Sequence, residues 1–182
     1  MTLSQTSARI VSFWREAGTE RWFAKNQYFD QIIRTKFLAI HEMGARGELC
    51  AWEADVQSAL ALVILLDQFP RNMFRGSARA FATDPPARAV ADRAIARGFD
   101  KKTERTLQQF FYLPFMHSES LADQDRCLRL YEALGDAEQL RFAIVHRDVI
   151  VRFGRFPHRN HVMNRLTIAA EQEFLKSGGF AG

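Results

Sequence analysis

Apolar side chains recur along this chain every three or four residues, and no stretch alternates apolar and polar positions as a strand does. The first predicted helix, residues 7–17, has an apolar face made of Ile10, Phe13, Trp14 and Ala17. The second, residues 27–45, has a stripe made of Phe29, Ile32, Ile33, Phe37 and Ile40. This helical period predicts an all-α protein.

The third predicted helix, residues 52–68, differs because its middle is apolar on every side. Residues 59–66 contain no polar side chain, which indicates a helix buried at the centre of the fold. We expect this helix to end at Phe69-Pro70, because a residue that precedes proline is driven out of the helical region.

Glycine and proline divide the rest of the chain into shorter helices. A helical turn is predicted near residues 77–82, followed by a helix that runs to Arg97 with Asp84 as N-cap and Pro85 in its first turn. Further helices are predicted over residues 103–112, 121–134 (capped by Ser118 or Ser120), 136–153 and 167–176. Seven or eight helices on short connections predict one domain over residues 1–182, built from antiparallel α-hairpins.

Composition sets limits on the class of protein. The 182 residues are 47% hydrophobic, which excludes a disordered chain. The longest apolar run, residues 60–66, is too short to span a membrane, and the N-terminus lacks a secretory signal pattern. Cys50 and Cys127 stand far apart in no metal-ligand spacing, so we expect reduced thiols and a cytoplasmic location.

Charge is concentrated in one part of a mildly basic chain. Arginine supplies 20 of the 25 basic residues. Between Arg141 and Arg165, six arginines and three histidines accompany a single acid, Asp148. Arginine suits planar, two-point recognition of carboxylate or phosphate. Nucleic acid is not an expected partner, because lysines are few and no aromatic platform is evident.

Two Phe-Pro loops carry the strongest candidate residues for a ligand site. The first loop, residues 67–72, contributes Asp67, Arg71 and Asn72. The second loop and its flanks contribute Asp148, Arg152, Arg155, His158, Arg159, Asn160 and Arg165. If the loops face each other, they form an anion site. In the structural alternative, the arginines bond exposed helix carbonyls and pair with Asp67 and Asp148.

The histidines offer a second kind of chemistry. His146 lies on one helix face with Phe142, Val149, Ile150 and Phe153, so it is expected to point inward, as a core residue or an acid–base group, whereas Asp148 projects elsewhere. His117 and Glu119 follow Pro114 and are suited to acid–base work or to helix capping. His117, Glu119, His146 and His158 are the credible metal ligands, but their spacing matches no dense motif. No metal or cofactor is expected.

Three long stretches resemble a known family. They are residues 65–84, with Asp-Gln-Phe-Pro-Arg-Asn at 67–72; residues 110–119, Phe-Phe-Tyr-Leu-Pro-Phe-Met-His-Ser-Glu; and residues 146–160, from His-Arg-Asp to Arg-Phe-Pro-His-Arg-Asn. The chain resembles the bacterial domain-of-unknown-function family 924 over nearly its whole length. The resemblance implies a tetratricopeptide-like helical fold and a residue set, but no activity.

The chain departs from the family pattern after the second loop. Where the family usually continues Gly-Arg-Glu-Ser-Thr, residues 163–167 read Met-Asn-Arg-Leu-Thr. The arginine is kept at Arg165, while the glycine and the acidic residue are replaced.

Three functions follow from these patterns. The leading hypothesis is a cytoplasmic protein that binds a small anion or an acidic protein segment, with histidines that tune its pH response. The first alternative is a hydrolase or phosphoryl-transfer enzyme that uses His146 or His158 as acid–base with arginine stabilisation. The second alternative is a structural module whose motifs only fix helix ends. A homodimer is compatible with each of them.

Overall fold

The computed structural model describes residues 3–180, and the secondary structure of this part is helical with no strand. Its α-helices are α1 (Leu3–Ala17), α2 (Thr19–Trp22), α3 (Gln27–Ala45), α4 (Val56–Val63), α5 (Phe69–Met73), α6 (Asp84–Ala96), α7 (Arg105–Gln108), α8 (Leu113–Met116), α9 (Leu121–Leu134), α10 (Ala137–Phe153) and α11 (Ala169–Lys176). Short 3₁₀ turns lie at Cys50–Ala54, Ala78–Phe81, Asp100–Lys102, Gln109–Phe111 and Pro157–Arg159. The prediction of an all-α protein is confirmed.

The chain divides into two compact units. Unit 1 comprises residues 1–75 and 79–114, and unit 2 comprises residues 76–78 and 115–182. The predictions of one domain and of a tetratricopeptide-like arrangement stay predictions. Among residues 3–180, no helix combines the length and the apolar character that crossing a membrane requires.

Unit 1 is built around α4, as the apolar run at residues 59–66 predicts. Ser58 through Val63 are buried, and α4 packs against α1, α6 and the 3₁₀ turn Cys50–Ala54. The helix begins where the Asp55 side chain accepts a hydrogen bond from Ser58 N at 3.0 Å. Aromatic rings fill the space beside α4, with Trp14 in edge contact with both Phe69 and Phe110.

The third predicted helix does not end at Phe69-Pro70. One π-helical turn, Ile64–Gln68, joins α4 to α5, and helical structure continues to Met73. The Phe69 N–H bonds the carbonyl of Ile64, five residues back. This wider turn accommodates Pro70, which has no N–H to donate and would crowd a regular α-helix.

Two other predictions need correction. Asp84 is not an N-cap: α6 begins at Asp84, and the preceding Thr83 makes no side-chain cap bond. The Thr83 hydroxyl instead bonds the Leu66 carbonyl at 2.5 Å. The helix predicted over residues 103–112 is broken into α7 and a 3₁₀ turn, and Pro114 lies inside the short helix α8.

Unit 2 contains a helical hairpin formed by α9 and α10. Gly135 ends α9 in the left-handed conformation (φ 70°), and the Asp136 side chain begins α10 by accepting from Gln139 N at 3.0 Å. Beyond α10, the 3₁₀ turn Pro157–Arg159 packs against α11. Phe156 is fully buried in the unit 2 core, which also contains Val149, Ile150, Phe153, Phe174 and Phe180.

Candidate functional site

Three consecutive carbonyl groups in the π-helical turn accept hydrogen bonds from side chains. The Leu65 carbonyl accepts from His41 Nδ1 at 3.0 Å, the Leu66 carbonyl from the Thr83 hydroxyl, and the Asp67 carbonyl from the Arg71 guanidinium. Buried backbone carbonyls need such partners. Two of these donors, His41 and Thr83, come from other parts of unit 1, and the third, Arg71, belongs to the first loop itself.

Arg71 is bound by two carboxylates of unit 1. Its NH1 and NH2 groups donate to the two oxygens of Asp84 at 3.0 and 3.1 Å, and NH1 lies 3.4 Å from Asp67 Oδ1. Burial opposes the charge on Arg71, but Asp67 and Asp84 outweigh burial and raise its pKa. Two carboxylates thus surround one guanidinium group.

Asn72 belongs to a second ionic cluster in unit 1. Its side-chain amide donates to Asp30 at 2.7 Å, and Arg75 binds both oxygens of the same carboxylate at 2.9 and 3.0 Å. Asp67 itself is fully buried and accepts from Gln68 at 2.6 Å. The polar groups of the first loop are engaged with one another and with α3 and α6.

The second loop in unit 2 is shaped by glycine and by a buried aromatic ring. Gly154 ends α10 in the left-handed region (φ 68°), which permits the chain to turn sharply. Phe156 is then buried completely, and Arg159 and Asn160 follow it into the interior with exposures of 6% and 0%.

Arg155 forms the first of two ion pairs that hold this loop. Its guanidinium binds both oxygens of Glu171 on α11, at 2.6 and 2.9 Å. Glu171 also accepts from the Asn160 amide at 3.0 Å and from Ile168 N at 2.9 Å. The pKa of Glu171 is lowered to about 2, mainly by the hydrogen bond from Arg155. The bonds from Ile168 and Asn160 lower the pKa further, while burial opposes them.

Arg165 forms the second ion pair, with Glu119. The guanidinium binds the two carboxylate oxygens at 2.7 and 3.0 Å and also donates to the Phe156 carbonyl at 3.1 Å. Glu119 in turn accepts from Phe156 N at 2.8 Å. Partial burial opposes the charge on Glu119, but these bonds and the nearby charge of Arg159 lower its pKa below the usual range.

The replacements after the second loop fit this geometry. Asn164 stands at the position of the family's glycine and has φ 54°, the one positive φ among the non-glycine residues that the structure describes. Asparagine tolerates the left-handed region better than most residues. Leu166 replaces the acidic residue, with 89% of its surface exposed, and its carbonyl accepts from Arg155 at 2.7 Å.

His146 points inward, as its position on α10 predicts. Its Nδ1 lies 2.8 Å from the Phe142 carbonyl, so Nδ1 carries the proton and Nε2 of the neutral ring is an acceptor. Burial is the main reason that the pKa of His146 falls to about 3; the Phe142 carbonyl opposes this, and the charges of His117, Arg159 and His158 add to it. His146 is therefore neutral at pH 7.

Arg159 lies in the same part of unit 2 as His117, His146 and His158. Its guanidinium stands over the Phe156 ring at 4.5 Å from the centroid, and its charge acts on both His146 and Glu119. The His158 and His146 rings also contact Phe156, with centroids 5.6 and 5.7 Å from it. We call Arg159, His117, His146 and His158 the histidine–arginine cluster.

Two predicted site residues lie apart from this cluster. Arg152 is exposed and stands over the Phe153 and Phe174 rings, at 4.7 and 5.3 Å. Asp148 is exposed on α10, and the acids that bind Arg155 and Arg165 are Glu171 and Glu119. Within residues 3–180, no group of three or more His, Cys, Asp and Glu side chains is arranged to hold a metal ion.

Sequence reasoning missed Glu171 and Phe180 as neighbours of the second loop. Glu171 is the third residue of α11 and accepts from Ile168 N, but the N-cap position holds isoleucine instead of Ser or Thr, so no capping-box pattern marks Glu171 in the sequence. Nothing in the local sequence indicates that Phe180 reaches the histidines.

This chain is similar in sequence and in fold to known proteins. The sequence model of the family described as "Bacterial protein of unknown function (DUF924)" matches residues 10–179. A solved structure of a protein of unknown function from Agrobacterium tumefaciens, ATU0120, is similar to this chain, with 46% sequence identity and a TM-score of 0.94. The similarity covers 97% of this chain and 100% of that one. A comparison with curated proteins finds no match.

Proposed function

We propose that this chain, which belongs to the DUF924 family of bacterial proteins of unknown function, is a binding protein for a small anion. Phosphate and carboxylate are the chemical classes that fit best. Arg159 holds the negative charge, and His117 and His158 supply further contacts from the histidine–arginine cluster.

The observation that carries the proposal is the buried charge of Arg159 in the second loop. Arg159 is 6% exposed, lies with the three histidines of the histidine–arginine cluster, and its charge acts on both His146 and Glu119. A buried positive charge is costly, and a bound anion stabilises it.

The proposal does not include the first loop, because carboxylates surround its arginines. Arg71 and Arg75 are accompanied by three carboxylates, Asp30, Asp67 and Asp84. A further anion near Arg71 would face like charges. This arrangement favours a structural role for Arg71 and Asn72, in which ion pairs fix the helical turn at Pro70.

The state of His146 favours binding over acid–base catalysis at that residue. A general acid or base works best with a pKa near the working pH, whereas the pKa of His146 is about 3. In the enzyme alternative, the acid–base role therefore passes to His158, which is half-buried beside the Phe156 ring. Our proposal predicts that the protein binds phosphate and shows no phosphatase or esterase activity.

Isothermal titration calorimetry and thermal unfolding with sodium phosphate, sodium sulfate and sodium acetate test the proposal. A ligand at 100 times its Kd stabilises the folded state by about 2.7 kcal/mol. We expect phosphate to raise the melting temperature of the wild type and of Arg152→Ala, an exposed arginine outside the cluster. Arg159→Met, which keeps most of the side-chain volume, should abolish the increase, and Arg159→Lys should retain part of it.

The controls separate binding from folding. Circular dichroism must show that Arg159→Met is folded at the titration temperature, and its unfolding without phosphate gives the baseline. Absence of binding by the wild type to all three anions would overturn the proposal. Equal binding by Arg159→Met would remove Arg159 from the site.

A further inference from the structure

The chain folds back on itself after α11. Gly178 has φ 80°, in the region that favours glycine, and Gly179 N donates to the Phe174 carbonyl at 2.9 Å. A Cβ on Gly179 would lie 2.5 Å from both the ring and the carbonyl oxygen of Phe174. Two adjacent glycines are therefore required for this close turn, which determines where Phe180 lies.

The turn places the Phe180 ring on the histidine–arginine cluster. Its centroid lies 4.3 Å from the His146 ring and 5.3 Å from the His158 ring. It is also 6.2 Å from Phe156, the ring that carries the Arg159 guanidinium. Phe180 is half-buried. Its ring lies beside two imidazoles and close to the buried guanidinium of Arg159.

We propose that Phe180 occupies the position of a ligand's aromatic ring, so that the site takes an aromatic anion that displaces it. This inference rests on the proposed function and names its ligand class: an aryl phosphate or aryl carboxylate. The ligand ring would contact His146, His158 and Phe156, and its anionic group would bind Arg159. The Phe180 tail is then an internal competitor.

The chemistry of the surrounding groups favours a ring at this position. Imidazole and phenyl rings present flat, apolar faces that pack well on another ring, with aromatic pairs typically 4.5–7 Å apart. Beyond α11, the Phe174 carbonyl accepts from Gly179 N and from the Ser177 hydroxyl, at 2.9 and 3.1 Å. A competing ring would replace the contacts that Phe180 makes with the two imidazoles and with Phe156.

Competition predicts the size of the effect. Minor conformations of proteins are ordinarily populated at about 0.1–10%. If the ring position is vacant in about 1–10% of molecules, removing Phe180 tightens the apparent affinity for an aromatic anion about 10- to 100-fold. Anions without a ring do not compete with the Phe180 ring, so their affinity should change by less than about threefold.

Calorimetric titration of the wild type and of Phe180→Ala with phenyl phosphate, methyl phosphate and inorganic phosphate tests the inference. In the wild type we expect phenyl and methyl phosphate to bind about equally. In Phe180→Ala, phenyl phosphate alone should bind about 10- to 100-fold tighter. Phe23→Ala, which removes a phenyl ring that is 55% exposed in unit 1, is the matched control and should change nothing.

Two further measurements guard against an indirect effect of the substitution. Gly179→Ala keeps the Phe180 ring but disturbs the turn, so it should also favour phenyl phosphate. Without ligand, the ring-proton resonances of His146 and His158 should shift in Phe180→Ala, because an adjacent aromatic ring is lost.

The outcomes distinguish this inference from the proposed function. If inorganic phosphate binds but Phe180→Ala treats phenyl and methyl phosphate alike, the ligand class is wrong and anion binding stands. Unchanged histidine resonances in Phe180→Ala would also overturn the inference. If no phosphate compound binds either protein, both proposals fall.

Discussion

Replacing Glu119 by glutamine should weaken folding and strengthen anion binding at the same time. The substitution keeps the shape of the side chain and removes its charge. In the wild type, Glu119 binds Arg165 at 2.7 and 3.0 Å and accepts from Phe156 N at 2.8 Å. A glutamine oxygen at the position of Oε1 can still accept from Phe156 N and from one Arg165 NH group, but its amide NH2 cannot accept the second Arg165 bond, and the charge of the pair is lost.

The expected loss of stability follows from partial burial of the pair. The Arg165 and Glu119 side chains are 21% and 27% exposed. Exposed pairs contribute about 0–1 kcal/mol, whereas breaking a fully buried pair costs about 3–5 kcal/mol. We therefore expect Glu119→Gln to lower the free energy of unfolding by about 1–2 kcal/mol at pH 7.

The effect of pH on this difference has a definite sign. The pKa of Glu119 is lower in the folded state, so its stabilisation is present above the unfolded pKa of about 4.3. The stabilisation is lost as the pH falls through the folded pKa. Wild type and Glu119→Gln should thus differ in urea unfolding at pH 7 and converge in acid.

Anion binding should change in the opposite direction. Neutralising Glu119 leaves Arg159 and Arg165 without the carboxylate that their charges act on. Removing one unit of negative charge at a distance of about 4 Å is worth about 1 kcal/mol in water, or roughly a fivefold gain in phosphate affinity. Calorimetry measures this gain, and Glu173→Gln, an exposed acid on α11, is the control.

Two results would refute this reasoning separately. Unchanged stability at pH 7 would mean that the Glu119–Arg165 pair does not contribute to folding. Weaker or unchanged phosphate binding by a folded Glu119→Gln protein would mean that positive charge at this loop does not govern anion affinity.

Three further predictions concern stability. Glu171 has a folded pKa of about 2, so its contribution should be complete above about pH 4.3 and disappear as the pH falls through about 2; urea unfolding at several pH values should show this in the wild type and not in Glu171→Gln. Thr83→Val should cost about 1–3 kcal/mol because it leaves the buried Leu66 carbonyl without its partner, while Thr83→Ser should stay within about 0.5 kcal/mol of wild type in the same assay. Asn164→Ala should lower the melting temperature, equivalent to about 1 kcal/mol, and Asn164→Gly should not, because only the alanine is strained at φ 54°.

The fold was predictable where the sequence has a clear apolar helix face and residues that end the helix. The helices over residues 27–45 and 121–134 were predicted with the bounds that the structure has, and Gly135 ends the second of them. The predicted cap of that helix is wrong, because Ser120 makes no side-chain cap bond and the Ser118 hydroxyl bonds Asp123. The π-helical turn at Ile64–Gln68 was not predictable. Its carbonyls are bonded by His41 and Thr83, which lie 24 and 17 residues away along the chain and reach the turn only after the chain has folded.

The residue types of the candidate site were predictable from the sequence, but the partners of its arginines were not. The surplus of arginine and histidine at residues 141–165 is visible in the sequence, and the inward direction of His146 follows from its helix position. The carboxylates of Glu171 and Glu119 bind Arg155 and Arg165, and they lie 16 and 46 residues away from them along the chain. Such distant pairing is fixed by tertiary packing, which the local pattern does not contain.

The π-helical turn also restricts how the length of this protein can change. A residue added to or removed from a regular α-helix rotates everything beyond it by about 100° around the helix axis. A π-helical turn takes up one extra residue locally, because Phe69 N–H reaches back five residues to the Ile64 carbonyl while Phe69 and Asn72 still face the core and Asp30. Deleting one residue from Ile64–Gln68 would therefore keep Phe69 and Asn72 in register but would put Pro70 into a regular α-helix, so we expect such a deletion to be tolerated only where Pro70 is also replaced.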